Sequence, residues 1–160
     1  REVPQAPGGV ADDTMAIPPI PSHLQLQIVS ADRLLVNEQV DEVQIPGSEG
    51  YLGVLPGHTL LLATLQVGEL WYRQGPGDSA RHYLSIAFGF VEVQPDRVTI
   101  LAQIAEPAHE IDLARAEAAK RRAEERLSKP APNMDFERAR IAMLKALVRL
   151  QVASRARIRS

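Results

Sequence analysis

Between residues 101 and 116 this chain changes character, and that break constrains its fold more than any other feature. Up to Ile104 the sequence reads as short strands. Residues 115–126 contain only Ala, Glu, Lys and Arg, all good helix formers, with no β-branched side chain among them. Between the two regimes stand Glu106, Pro107, Ala108, His109 and Glu110. Pro107 has no N–H for a sheet ladder and biases Glu106 toward extended backbone. The break divides the chain into a flexible N-terminal extension (1–21), a sheet domain (22–105) and a helical part (106–160).

Composition narrows the functional classes. Hydrophobic residues at 45% and charged residues at 24% are ordinary for a globular protein. A formal charge of -2 gives no footing for nucleic acid as a partner. With no Cys there are neither disulfides nor thiolate metal ligands, and nothing marks the chain as secreted. No apolar run approaches the ~20 residues of a membrane helix, so membrane association is expected through a partner, without direct insertion. Residues 1–21 are rich in Pro, Gly and Asp, and Met15 is a candidate start.

Residues 23–29 alternate, with Leu24, Leu26 and Ile28 on one face and Gln25 and Gln27 on the other. Residues 33–36 and 40–45 continue in that style, and residues 46–50 supply a turn. Further short strands are expected at 51–55, 60–65, 69–73, 81–87, 90–94 and 98–102, with Gly89 dividing two of them. Close spacing and Gly and Pro turns point to an antiparallel sandwich or flattened barrel. No helix separates any two strands, which argues against parallel pairing.

Asp112 is the expected N-cap of a helix reaching Leu127, stopped by Ser128, Lys129, Pro130 and Pro132. Its seam must be Ala116, Ala119 and Ala123. A second helix, capped by Asn133 or Asp135, runs from Phe136 toward Ala153. Phe136, Met143, Leu147 and Leu150 make one apolar stripe, and Ile141, Leu144, Val148 and Val152 another. One stripe can face the first helix; the other needs the chain's own sheet or a different subunit. An alanine-lined pair of short helices is marginal alone and should be able to leave its dock.

Three stretches in order resemble the epsilon subunit of F-type ATP synthases of the bacterial and chloroplast type: Gly-Ser-Glu-Gly-Tyr-Leu-Gly-Val-Leu-Pro-Gly-His (47–58), Gly-Phe-Val-Glu-Val-Gln-Pro-Asp-Arg-Val-Thr-Ile-Leu-Ala (89–102) and Ile-Asp-Leu-Ala-Arg-Ala (111–116). The resemblance implies an N-terminal β-sandwich of about ten strands followed by a C-terminal two-helix antiparallel hairpin. It implies a non-catalytic rotor subunit that binds the gamma subunit and the c-subunit ring and couples ion flow to ATP synthesis. Its C-terminal helices would restrain ATP hydrolysis by rising into the alpha/beta catalytic head. The implied location is peripheral, on the cytoplasmic face of a bacterial plasma membrane or the stromal side of a thylakoid.

The same resemblance assigns residues. Tyr51 and His58 fall at the contact with the c ring and gamma; Tyr51 stands where many relatives have an acid, so an aromatic anchor replaces an ion pair. Residues 111–116 look like a regulatory ATP-recognition motif, with Ile111, Asp112, Arg115 and Ala116 in it and Glu106 and Arg149 added from outside. Asp112 and Arg115, three apart, share one helix face. Lys145 stands where nucleotide-binding relatives have Arg, keeping charge but losing the guanidinium fork. ATP is thus implied as a regulatory ligand, with no cofactor required. Arg138, Arg140, Lys145 and Arg155 form a basic face for the head, continued by Arg157 and Arg159.

Nothing in the chain signals catalysis of its own. Gly47, Gly50 and Gly53 do not precede Lys-Ser or Lys-Thr, the four His residues lack metal-ligand spacing, and no Ser sits in a nucleophile motif. The competing readings are a hydrolase or isomerase with His58 and Glu49 as acid and base, separated by turnover of the isolated chain, and a free-standing ATP-sensing module, separated by whether larger subunits co-purify.

Overall fold

The computed structural model describes residues 16–157. The expectations for residues 1–15, for a start at Met15 and for Arg159 lie outside the described residues. Eight strands come first: β1 (Leu24–Val29), β2 (Leu34–Val40), β3 (Glu42–Gly47), β4 (Gly50–Val54), β5 (Leu61–Leu65), β6 (Gly68–Arg73), β7 (Arg81–Gln94) and β8 (Arg97–Pro107). A 3₁₀ turn (Ala108–Glu110) leads into helices α1 (Leu113–Ser128) and α2 (Phe136–Arg157). The strands hydrogen-bond in the order β2-β1-β8-β7-β5-β3-β4, with β6 bridging β3 and β7. All eight contribute to one apolar core, including Leu24, Ile45, Leu70, Ile86 and Ile100, none of which is measurably exposed.

This is the sandwich and hairpin that the composition break implies, with three corrections. The strands number eight where about ten are expected. One pair is parallel: β1 runs beside β8 from Gln25 opposite Arg97 to Val29 opposite Leu101. A parallel pair requires a long crossover; here the rest of the sandwich is that crossover, so no helix is needed between strands. Third, the sheet extends past the boundary expected at 105. Leu84 pairs with Pro107, which is tolerated because it closes its strand and no ladder bond beyond it is lost.

The strand count falls because β7 does not break at Gly89. Along β7, Leu84 and Ile86 point into the core and then Val91 and Val93 do, so the inward residues change from even to odd numbers. In an unbroken pleat that is impossible. The phase is reset by two consecutive residues with positive φ, Phe88 at 61° and Gly89 at 120°. One edge of β7 meanwhile passes from β6, ending at Ile86 opposite Gly68, to β5, starting at Gly89 opposite Leu65, while β8 stays alongside. A Cβ on Gly89 would lie 2.0 Å from the Leu101 carbonyl oxygen, which explains why glycine stands there.

The hairpin follows the expected helices closely. Asp112 caps α1, its Oδ1 accepting the Arg115 N–H at 3.1 Å, and Asp135 rather than Asn133 caps α2, accepting from Arg138 N–H at 3.0 Å. The buried seam differs on the second helix. Ala116 and Ala123 of α1 are buried as expected, while Ala119 is only half-buried; α2 buries Ala139, Ala146 and Ala153, seven residues apart, and of its two large stripes only Val152. Phe136, Leu144 and Leu147 stay exposed. Small side chains on both helices let the backbones approach closely, and a leucine on one side would hold them apart. The dock is the chain's own sheet: α2 packs on β6, β7 and the 3₁₀ turn, and Val152 and Ala153 join Ile111 in a second apolar cluster.

Replacing Gly89 by Ala is expected to destabilise the fold by about 3 kcal/mol or more, through the backbone clash and the loss of a glycine-only conformation. A urea unfolding midpoint within error of the parent's would contradict this account of the strand reversal.

Candidate functional site at the junction of hairpin and sandwich

Among the described residues, three ion pairs fasten the helical part to the strand domain. Arg149 of α2 meets Glu106 of β8, with Nε 2.8 Å from Oε1 and Nη2 donating to Oε2 at 3.1 Å. Arg155, in the last turn of α2, donates to both carboxylate oxygens of Glu69 on β6 at 3.3 Å, and its guanidinium carbon lies 5.1 Å from the Tyr83 ring centroid. Arg33, beyond β1, pairs with Glu110 of the 3₁₀ turn. That hydrogen bond holds the Glu110 carboxyl below its ordinary value. Its contribution is therefore present above the unfolded pKa and is lost as pH falls through the lower folded one.

Glu69 is the most consequential of these partners. It is 8% exposed in a strand otherwise buried on both faces. A carboxylate so placed without a cation would be penalised by several kcal/mol. Arg155 supplies the cation, and Glu69 in turn holds the Arg155 charge more firmly than usual. Glu69 did not stand out in the sequence; the signal available was a single acid within Gly-Glu-Leu-Trp-Tyr, a run too apolar for a strand with one wet face.

Between the sheet and the two helices lies a cavity of about 260 Å³. Ala87 of β7, Ala119 of α1 and Ala146 of α2 wall it, and Glu106, Lys145 and Arg149 supply its charge. Glu106 and Arg149 of the expected ATP-binding set are thus together, already bonded to one another. Arg115 is exposed one turn before Ala119 on the same side of α1. Asp112 serves as the helix cap, while Ile111 and Ala116 are buried in packing. Lys145, expected on the basic face, lines the cavity instead, its Nζ 5.5 Å from the centroid of the Phe88 ring.

The other expected sites are dispersed. Tyr51 is the second residue of β4 and is 52% exposed, whereas His58 lies beyond the strand's far end, next to a turn where Gly57 has φ 85°, and His58 Nδ1 meets the Thr59 carbonyl oxygen at 2.7 Å. They mark opposite ends of a five-residue strand rather than one loop. The basic face is likewise not continuous. Arg138 is exposed, Arg140 forms a two-point pair with Glu137, and Arg155 is turned inward onto Glu69. A buried acid on the sheet drew Arg155 away from solvent, which helix periodicity alone does not reveal.

A large apolar patch occupies the solvent face of the sandwich. Leu62 on β5, Phe90 on β7 and Leu101 on β8 are 72%, 56% and 52% exposed. Phe90 sits opposite Leu101 on one side and Thr64 on the other, so the three side chains lie on adjacent strands. Beside them an apolar groove of about 480 Å³ runs to the turn at Gly47 and Gly50.

Residues 23–108 match the family model for the ATP synthase delta/epsilon chain beta-sandwich domain, and residues 109–154 match that for its long alpha-helix domain. The chain is 48% identical over 133 residues to ATP synthase epsilon chain 2 of Syntrophotalea carbinolica, covering 82% of this chain and 94% of that one. It is 46% identical over 132 residues to the ATP synthase epsilon chain of Syntrophobacter fumaroxidans, covering 82% and 96%. Among solved structures, a chain of the Euglena gracilis mitochondrial ATP synthase assembly of OSCP, F1 and c-ring superposes with TM-score 0.68 at 23% identity, over 99% of this chain and 91% of that one. That likeness is one of fold.

Proposed function

The chain belongs to the epsilon-chain family of ATP synthases, and from that premise we propose how this non-catalytic central-stalk subunit does its work. The sandwich presents Leu62, Phe90 and Leu101 to the gamma subunit and the end carrying His58 to the ring of c subunits, with Tyr51, near the opposite end of β4, as an aromatic anchor on the gamma side. The observation that carries this reading is the apolar patch itself: three large side chains on adjacent strands, each more than half exposed, are the mark of a surface meant to be covered. No helix among the described residues is long and apolar enough to cross a membrane. A peripheral association on the cytoplasmic face of a bacterial membrane, reached through the ring, fits these features.

The hairpin is the regulatory part. Docked, it neutralises Glu69 and Glu106; released, it carries Arg138, Arg140 and Arg155, together with the exposed Phe136, Leu144 and Leu147, toward acidic segments of the alpha/beta head and restrains ATP hydrolysis. ATP is the ligand that favours the docked state. It enters at the cavity beside Glu106, Lys145 and Arg149, and the exposed Arg115 stands one helical turn before the lining Ala119. At about 260 Å³ the cavity takes part of a nucleotide, since enclosing sites run to roughly 300–1,000 Å³. ATP at ten times its dissociation constant then stabilises the docked hairpin by ~1.4 kcal/mol, which biases a marginal equilibrium without locking it.

Three measurements check this reading. Phe90→Asp is expected to weaken capture of gamma by roughly 30-fold or more, because a carboxylate would be buried without a partner; undiminished co-purification would exclude the patch as the contact. Removing residues 130–160 is expected to raise ATP hydrolysis by the assembled complex, and unchanged hydrolysis would exclude a restraining hairpin. Calorimetric titration of the isolated chain is expected to show saturable ATP binding, and an absence of heat at millimolar ATP would remove the nucleotide from the scheme.

A further inference from the structure

Phe88 is the one non-glycine residue with positive φ among the described residues, at 61°. An aromatic side chain is disfavoured there, because its Cβ crowds the following carbonyl oxygen. Glycine at the next position has no such penalty, so the phase reset of β7 does not by itself call for a phenyl ring. Strained backbone of this kind collects where a side chain must be aimed.

The aim is toward α2. Phe88 is half-buried, and its ring stands 5.5 Å from Lys145 Nζ at the cavity. The two cations there differ in availability: Arg149 is bonded to Glu106, whereas Lys145 forms no ion pair among the described residues and meets a ring face instead. A ring quadrupole attracts an ammonium without neutralising it. Lys145 is therefore the cavity charge that an incoming anion finds unpaired.

We propose that Phe88 is a positioning residue for the nucleotide site: its left-handed backbone sets the phenyl ring under Lys145 and fixes that ammonium at the cavity to meet the phosphates. The inference rests on the proposed ATP site and names the group that organises it. A lysine on four methylenes is a poor substitute for a forked arginine unless something restrains it; the ring is that restraint. Arg149 holds Glu106, and hence the sheet, while Lys145 addresses the ligand.

The test is calorimetric titration of ATP into the full chain and its Phe88→Leu, Phe88→Trp and Lys145→Gln variants, with thermal unfolding of each. Leucine keeps the strained backbone and most of the apolar bulk but lacks the quadrupole, so Phe88→Leu should bind ATP about three- to tenfold more weakly at a little-changed Tm. Phe88→Trp should bind at least as tightly as the parent. In the Lys145→Gln background, Phe88→Leu should have no further effect, because the ring then has no ammonium to hold. Parent affinity in Phe88→Leu, or an equal loss with and without Lys145, would overturn the role given to Phe88 while leaving the ATP site standing. Absence of ATP binding by the parent chain would overturn both.

Discussion

The reversal of pleat phase at Phe88 and Gly89 is the constraint on which the rest of the molecule depends. Strand β7 touches β5, β6, β8 and α2, and it must fill the core along its whole length while its ladder partner changes on one edge. A strand of 14 residues with constant phase would bury Leu84 and Ile86 but turn Val91 and Val93 to solvent. Two left-handed residues correct this, and only glycine fits the second beside the Leu101 carbonyl. The same twist separates two outer surfaces. Before it, Ala87 faces the hairpin; after it, Phe90 faces outward beside Leu62 and Leu101.

The hairpin is held by a different balance. An alanine methyl contributes about 0.8 kcal/mol on burial, where a leucine would contribute roughly 1.5–3, so the seam of Ala116, Ala123, Ala139 and Ala146 binds the two helices closely but weakly. What directs the pair to the sheet is charge: Glu69 and Glu106 sit partly or wholly out of water and each is answered by an arginine of α2. Ion pairs of this kind gain little over solvated charges. They specify where the helices rest more than how firmly. A ligand or partner of modest affinity can therefore shift the hairpin, and that is what regulation by a stalk subunit requires.

Much of the architecture was legible beforehand because it rests on local rules. Alternation in residues 24–28, the turn at Pro95 and Asp96, the Asp112 cap and the burial of Ala116 and Ala123 all follow from propensity and periodicity, and each stands in the structure. The misreadings share a cause. The parallel pairing of β1 with β8, the unbroken β7 and the alanine seam of α2 each depend on a neighbour far along the chain. The candidate site divides the same way: Glu106 and Arg149 are 43 residues apart and Glu69 and Arg155 are 86 apart, so no spacing pattern links them.

The sequence by itself determined the two-part plan, a sandwich followed by two helices, and the family to which the chain belongs, because composition, periodicity and ordered motifs are properties of contiguous residues. Only the tertiary structure decided that Arg155 faces Glu69 instead of a partner, that Lys145 rests on Phe88, and that Leu62, Phe90 and Leu101 form one patch. Those outcomes depend on the distance between residues that meet only when the chain folds back on itself, and in particular on where β7 turns over.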